Sequence, residues 1–148
     1  MSQMVSKQDA ASAVFSSGFN CAQSVFSVFC EKYGIDKEAA FKLSGGLGGG
    51  FRSGEVCGAV SGAVLVVGLK YGQYIAEDKE AKLICNAKTE EFLNEFRKRN
   101  NSIICRDILG VDTSTEDGRK QAMDRNLFRT ICDDMVRSAV LILEDLGY

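Results

Sequence analysis

Apolar side chains recur every three to four residues along most of this chain, which is the period of an α-helix with one buried face. No stretch shows the strict alternation of a half-buried strand or the turn residues of a hairpin. The pattern predicts a first helix over about Lys7–Ser16 and a second over Cys21–Tyr33, for which Asn20 is a suitable N-cap. Asp36 is placed to cap a third, short helix.

The segment Val56–Tyr71 is apolar all round, so we expect it to form a buried helix at the centre of the fold. Its residues Gly58 and Gly62 are four positions apart, which lets a neighbouring helix pack closely and makes a homodimer a plausible arrangement. We therefore predict an all-α fold, with residues 1–148 forming a single domain built as a bundle of about six helices. The remaining predicted segments are a helix over Glu77–Asn100, a connector with one short turn at Cys105–Gly110, a loop over 111–118, and two helices over Arg119–Leu127 and Thr130–Leu146.

A glycine-rich loop precedes the central helix. Six of the eleven residues from Ser44 to Gly54 are glycine, so this backbone can adopt conformations closed to other residues. The loop lacks the Gly-Lys-Ser/Thr of a phosphate-binding loop, and no predicted strand leads into it. We expect a tight loop that brings main chain close to a site, and the candidate cofactor-binding positions are Gly48, Gly49, Gly50 and Gly58.

Composition and charge exclude several classes of function. The net charge is −2, without the basic surplus that binding to nucleic acid or an anionic membrane would need. We find no signal peptide pattern and no apolar run of the roughly 20 residues that span a bilayer, so we expect a cytoplasmic protein. Because the chain has no His, a Ser-His-Asp triad, a His-ligated zinc ion and a His-ligated haem are excluded.

Six cysteines in a reducing compartment suggest metal binding or redox chemistry more than structural disulfides. Cys30 and Cys85 fall within predicted helices and are most simply small core residues. The other four lie at or near helix starts, where the helix dipole favours a thiolate, and a bundle gathers helix ends into one layer. These four are Cys21, Cys57, Cys105 and Cys132. The alternative is that all six are scattered core residues, since no Cys-x-x-Cys pair is present.

The segment Cys57-Gly58-Ala59-Val60-Ser61-Gly62 resembles the Cys-Gly-Ala-x-x-Gly signature of the redox-active protein family C_GCAxxG_C_C. That family has about this chain length, with one cysteine upstream of the signature, one within it and two downstream. Cys21, Cys57, Cys105 and Cys132 fit those places in order. The resemblance implies that these four are redox thiols. The family also resembles the iron–sulfur part of certain multihaem cytochromes, although this chain has no Cys-x-x-Cys-His for haem attachment.

Three functional hypotheses follow, each using the same four cysteines. In the first they hold a [2Fe–2S] cluster for electron transfer with a partner protein that the sequence does not identify, and Arg52 or Arg106 is a counter-charge. The second is a metal-free dithiol–disulfide protein in which Cys57 attacks. The third is a non-enzymatic helical module with a structural zinc site held by the four cysteines, or no site. Carboxylate catalysis by Asp107, Asp133 and Asp134 is a further alternative.

Overall fold

The computed structural model describes residues 5–148, and within that range the chain is helical and contains no strand. The prediction of an all-α fold is therefore confirmed. Extended backbone pairs at only one described place, an isolated antiparallel bridge between Val56 and Ile104. The helices are α1 (Lys7–Ser16), α2 (Cys21–Ser27), α3 (Lys37–Ser44), α4 (Gly58–Tyr71), α5 (Lys79–Asn100), α6 (Cys105–Leu109), α7 (Glu116–Asp124) and α8 (Ile131–Asp145).

The prediction of one continuous helix over Cys21–Tyr33 is wrong. Helix α2 ends at Ser27, and a separate 3-10 turn follows over Cys30–Tyr33. Two serine hydroxyls bond back to backbone carbonyls of α2, Ser24 to that of Asn20 and Ser27 to that of Ser24. Such side-chain bonds compete with the regular helical ladder and bend it, which accounts for the break.

The predicted boundaries of α4 and α7 also shift. Helix α4 begins at Gly58 rather than Val56, because Val56 takes part in the bridge with Ile104. Helix α7 covers Glu116–Asp124 rather than Arg119–Leu127, so it includes part of the expected loop. The Thr115 hydroxyl accepts a hydrogen bond from the Gly118 N–H at 2.9 Å and caps α7, so the helix begins at Glu116, three residues before its predicted start.

Helix α4 occupies the centre of the main core, as expected from its apolar surface. Its residues Val60, Val66 and Val67 are fully buried, and α2, α5 and α8 pack against it. The contact with α2 is close enough that a Cβ on Gly62 would lie 2.5 Å from the carbonyl oxygen of Ala22. The small-residue face of α4 is therefore covered by α2 of the same chain.

A smaller apolar cluster lies in the second half of the chain, contributed by α6, α7 and the segment leading into α8. Leu109, Ala122 and Leu127 are buried there, together with Cys105, and Cys132 packs against them. Cys57 belongs to the main core, and Cys105 belongs to this smaller cluster. The cysteines meet in the space between the two clusters.

Candidate functional site

A single cavity of about 520 Å³ is lined by all four cysteines of the predicted group. Each of them comes from a different element, because Cys21 begins α2, Cys57 precedes α4, Cys105 begins α6, and Cys132 is the second residue of α8. The cysteines are separated by tens of residues in sequence, and the packing of four helix starts around one space brings them together.

Cys57 and Cys105 are brought together by the isolated bridge. The Cys57 N–H donates to the Ile103 carbonyl at 2.7 Å, and the Cys105 N–H donates to the Glu55 carbonyl at 2.6 Å. These backbone bonds join two segments at the starts of α4 and α6. No alternating pattern marks either segment, so sequence periodicity does not reveal this pairing.

Cys21 and Cys132 form the second neighbouring pair. A hydrogen bond between their side chains is the largest influence on both, lowering the pKa of Cys132 and raising that of Cys21 well above its ordinary value. Asn20 fixes the start of α2 through a reciprocal capping box with Gln23. Of the pair, Cys132 therefore carries the more acidic thiol.

The thiol of Cys57 behaves opposite to the expectation from its place at a helix start. Burial raises its pKa to about 12, and this outweighs the hydrogen bonds from the backbone N–H groups of Ala59 and Val60, which act to lower the pKa. Burial likewise raises the pKa of Cys105, against a contact with the Thr113 hydroxyl at 3.9 Å. The helix dipole is a weaker effect here than the loss of water around the sulfur.

The glycine-rich loop forms one wall of the cavity. Gly48, Gly49 and Gly58 line it, and a Cβ on Gly58 would lie 3.2 Å from the Cβ of Cys21. Gly50 is not among the lining residues. It packs against Cys105 instead, where a Cβ would lie 2.9 Å from the Cys105 Cβ.

Over residues 49–52 the loop makes a left-handed turn, five residues ahead of α4. Gly49, Gly50, Phe51 and Arg52 have φ angles of 66°, 64°, 64° and 58°. Phe51 and Arg52 have side chains, so this conformation costs about 1–2 kcal/mol for each of them. The turn leaves Phe51 exposed and places Arg52 on the cavity wall.

Two arginines line the cavity, and the sequence pattern predicts only one of them. Arg52 was a candidate counter-charge, and Arg119 joins it from α7. Arg106, the other candidate, does not line the cavity, because its guanidinium pairs with Glu55 at 2.7 Å. Arg119 carries no local sequence signal, since only the packing of α7 against the cavity places it there.

The other polar candidates have structural surroundings. Cys30 is fully buried in the main core and donates to the Ser27 carbonyl, and half-buried Cys85 lies on α5. Neither lines the cavity. Asp133 accepts bonds from Ser12 at 2.6 Å and from Arg137 at 3.1 Å, which ties α8 to α1.

All six cysteines are free thiols. Among residues 5–148, no three or more Cys, Asp or Glu side chains are grouped so as to hold one metal ion. A mononuclear zinc site gathers its ligands tetrahedrally around one point, with each sulfur about 2.3 Å from the metal. The four thiols share one cavity, and the described residues show no closer grouping of three of them.

Comparison with known families agrees with the cysteine order. The family model described as "Putative redox-active protein (C_GCAxxG_C_C)" matches residues 19–146. The chain belongs to the C_GCAxxG_C_C family. Comparisons with curated proteins and with solved structures found no match. In this C_GCAxxG_C_C member, the signature cysteine Cys57 lines one cavity together with Cys21, Cys105 and Cys132.

A separate finding concerns membranes. From residue 5 to the end of the chain, no helix combines the length and the apolar character that crossing a bilayer requires.

Proposed function

We propose that this member of the family is an electron-transfer protein whose cavity holds a [2Fe–2S] cluster through Cys21, Cys57, Cys105 and Cys132. The observation that carries the proposal is the convergence of four thiols, from four helix starts, on one cavity of about 520 Å³. Four cysteine ligands are the usual complement of such a cluster. When bound, it would supply a one-electron couple.

The pairing of the thiols supports two iron positions rather than one. The backbone bonds of Cys57 to Ile103 and of Cys105 to Glu55 hold the segments of these two cysteines side by side, and the thiols of Cys21 and Cys132 shift each other's pKa. Each pair would serve one iron of a two-iron cluster. A single zinc ion would need at least three of these groups around one point, and residues 5–148 contain no such group.

The surroundings of the thiols are consistent with this role. Burial disfavours an isolated thiolate at Cys57 and at Cys105, and a bound metal cation would offset that cost. Metal binding to cysteine releases the thiol protons. The bare main chain of Gly48, Gly49 and Gly58 can approach the sulfurs closely, and hydrogen bonds from backbone N–H groups would tune the potential of the site.

A second candidate function rests on the opposite pKa shifts of Cys21 and Cys132, two thiols that line the same cavity. Their hydrogen bond lowers the pKa of one thiol and raises that of the other, as suits an attacking thiolate beside its resolving partner. Thiol–disulfide exchange with a disulfide in a partner protein would then leave a Cys21–Cys132 disulfide. Two electrons and two protons would pass to the partner. In this second function the Cys132 thiolate attacks the partner's disulfide, whereas the sequence-based hypothesis gives that role to Cys57.

One set of measurements separates these functions. The full chain is prepared without oxygen, reconstituted with iron and sulfide, and assayed for metal content, visible absorption and free thiols. The cluster predicts two irons per chain and absorption that bleaches on reduction, both kept in Cys85→Ser. The dithiol function predicts no iron and two fewer free thiols after oxidation, an effect lost in Cys21→Ser and Cys132→Ser. If the protein takes up no iron and its free-thiol count does not change on oxidation, both functions are overturned.

Two further proposals concern context. We propose a cytoplasmic location and an electron partner that is itself a protein. The net charge of −2 supplies no basic surplus for binding nucleic acid or an anionic membrane.

A further inference from the structure

The charge on the cavity wall has one sign. Among the described residues that line the cavity, the charged ones are Arg52 and Arg119, and none is Asp or Glu. This contrasts with the chain as a whole, which has net charge −2. A wall with two cations and no carboxylate attracts an anion, whether a thiolate of the site or a bound molecule.

Neither guanidinium is neutralised by its neighbours. Within residues 5–148, Arg52 and Arg119 form no ion pair, whereas Arg99, Arg106 and Arg137 each pair with a carboxylate. Arg119 donates to the Thr113 carbonyl at 3.3 Å, which steadies the side chain and leaves its charge uncompensated. Three acidic residues near these positions in sequence have other partners: Glu55 pairs with Arg106, Asp112 accepts from Ser114, and Asp117 of α7 accepts from Gln121.

The loop is strained where it places Arg52. Two consecutive residues with side chains, Phe51 and Arg52, hold the left-handed conformation, although glycine fills the two positions before them and the position two beyond. Strain of this kind persists only where the surrounding structure holds it, and it clusters at binding and catalytic sites. Glycine at position 52 would relieve the strain but remove the guanidinium.

The rest of the wall is largely apolar. Phe15, Ile108, Phe128 and Met135 come from α1, α6, the segment before α8, and α8. A fully solvated inorganic ion gains nothing from such surfaces. An organic molecule that carries both an anionic group and an apolar body would match both parts of the cavity.

We propose that the cavity binds a small organic anion, with its anionic group against Arg52 and Arg119 and its apolar body against the aromatic and aliphatic wall near the thiols. This names a class of small molecule that would exchange electrons with the cysteines on one side of the reaction, with the proposed protein partner on the other, and in that respect it rests on the proposed function. Binding itself is measured below without any redox readout.

The test uses three naphthalene probes of similar size that differ in charge: 2-naphthoate, neutral 2-naphthalenemethanol and cationic 2-naphthylmethylammonium. None of them oxidises or alkylates a thiol. Each is titrated calorimetrically into the full chain, once in the iron-free form and once after reconstitution. We expect 2-naphthoate to bind at least about tenfold more tightly than the neutral probe, and the cation to bind more weakly than either.

Matched variants locate the interaction. Arg52→Gly should weaken 2-naphthoate binding at least about tenfold and leave binding of the neutral probe unchanged. Phe51→Gly removes the neighbouring strained side chain but keeps Arg52, so the preference for the anion should persist. Arg125→Gln, which removes an exposed positive charge outside the cavity, should have no effect. Arg119→Gln should also weaken 2-naphthoate binding, whether residue 52 is arginine or glycine.

The outcomes are decisive in each direction. Equal affinity for the anionic and neutral probes, no saturable binding of 2-naphthoate, or an unchanged affinity in Arg52→Gly would overturn the inference. Binding in the iron-free form that disappears on reconstitution would also overturn it, because the arginines would then balance the charge of the cluster alone. A chain that takes up no iron but binds 2-naphthoate through Arg52 would contradict the cluster and sustain the anion site.

Discussion

The two ends of helix α4 have opposite surroundings. Toward its C-terminal end, Val66 and Val67 pack with Phe92, Phe96 and other fully buried side chains in a continuous apolar core. At its N-terminal end, Cys57 and Gly58 face a cavity lined with thiols, bare main chain and two guanidiniums. One element therefore belongs both to the part of the molecule that is closely packed and to the part that is hollow.

The comparison separates what stabilises the fold from what equips the site. Burial and close packing around the middle of α4 stabilise the chain, and little chemistry is available there. The cavity end contains features that each cost stability, namely two left-handed residues with side chains and thiols removed from water. The core must be stable enough to offset these costs, because the free energy of unfolding of a folded domain is only about 5–15 kcal/mol.

The largest expected effect sharpens this comparison with two buried cysteines. If the cavity holds a cluster, Cys57→Ser should remove nearly all visible absorption after reconstitution, because one of four ligands is lost. Cys30→Ser should keep that absorption and lower the free energy of unfolding by about 1–3 kcal/mol, because it places a hydroxyl in the apolar core. Spectra and urea unfolding of both variants provide the measurement.

Cys57→Ser should lose absorption and Cys30→Ser should lose stability. The reverse result would contradict the assignment of Cys57 to the site and Cys30 to the core. Retained absorption in Cys57→Ser together with its loss in Cys30→Ser would place the redox centre in the core. If Cys57→Ser instead leaves a reversible loss of two thiols on oxidation, the Cys21–Cys132 dithiol function is the one that survives.

The next effect tests the close packing of α4 against α2. A Cβ on Gly62 would lie 2.5 Å from the Ala22 carbonyl oxygen, whereas one on Gly68, in the same helix, would meet no atom within 4 Å. Gly62→Ala should lower the free energy of unfolding by about 1–3 kcal/mol, as overpacking does. Gly68→Ala should raise it by up to about 1 kcal/mol, because alanine is the better helix former.

Chemical denaturation of both glycine variants measures the difference. Similar free energies of unfolding for the two would mean that α2 and α4 do not approach each other as closely as Gly62 and Ala22 indicate. Since α2 also carries Cys21, a shift of α2 in Gly62→Ala should disturb the cavity as well as the core.

Much of this arrangement could be predicted from local pattern. The caps Asn20 and Asp36 mark helix starts correctly, and the apolar surface of Val56–Tyr71 identifies the central helix. Helix caps and hydrophobic periodicity depend only on residues close together in the chain, so a single sequence is enough to identify them. The same local rule places Cys21 and Cys57 at helix starts, before any tertiary contact is known.

Other features depend on contacts between distant segments and have no local signal. The bridge between Val56 and Ile104, which brings Cys57 to Cys105, joins residues without any strand pattern. Arg119 reaches the cavity only because α7 packs there. The pKa of Cys57 is raised by burial, and burial follows from packing rather than from position in a helix.

A third and smaller effect tests the strain at the cavity end. Phe51→Gly should raise the free energy of unfolding by about 0.5–1 kcal/mol, because glycine adopts the left-handed conformation without steric cost and Phe51 is largely exposed. Ser53→Gly lies in the same loop without a left-handed φ, so it should lower stability slightly through unfolded-state entropy. Thermal unfolding compares the two, and a loss of stability in both would mean that the turn is unstrained.

The smallest effect concerns the polar contacts that hold the cavity wall. Asp9 of α1 pairs with Arg137 of α8 at 2.7 Å, and these helices contribute Phe15 and Met135 to the cavity. The hydrogen bond from Arg137 lowers the pKa of Asp9 below its ordinary value of 3.8. A depressed pKa in the folded state stabilises the fold above the unfolded-state pKa, and that stabilisation is lost as the pH falls through the folded-state pKa.

Asp9→Asn should therefore be slightly less stable than the wild type at pH 7, and the difference should shrink toward zero as the pH falls below 4. Because the pair is exposed, 1 M salt should also reduce the difference. Urea unfolding at pH 7, 5 and 3 measures it, with Arg137→Gln as the matched background. In that background the substitution at Asp9 should lose most of its dependence on pH, and the remainder is due to the hydrogen bond with Ser6, the second cause of the lowered pKa. A gap between wild type and Asp9→Asn that is as large at pH 3 as at pH 7 would show that the α1–α8 contact does not depend on this charge, and that the cavity wall is held by apolar packing, as the core is.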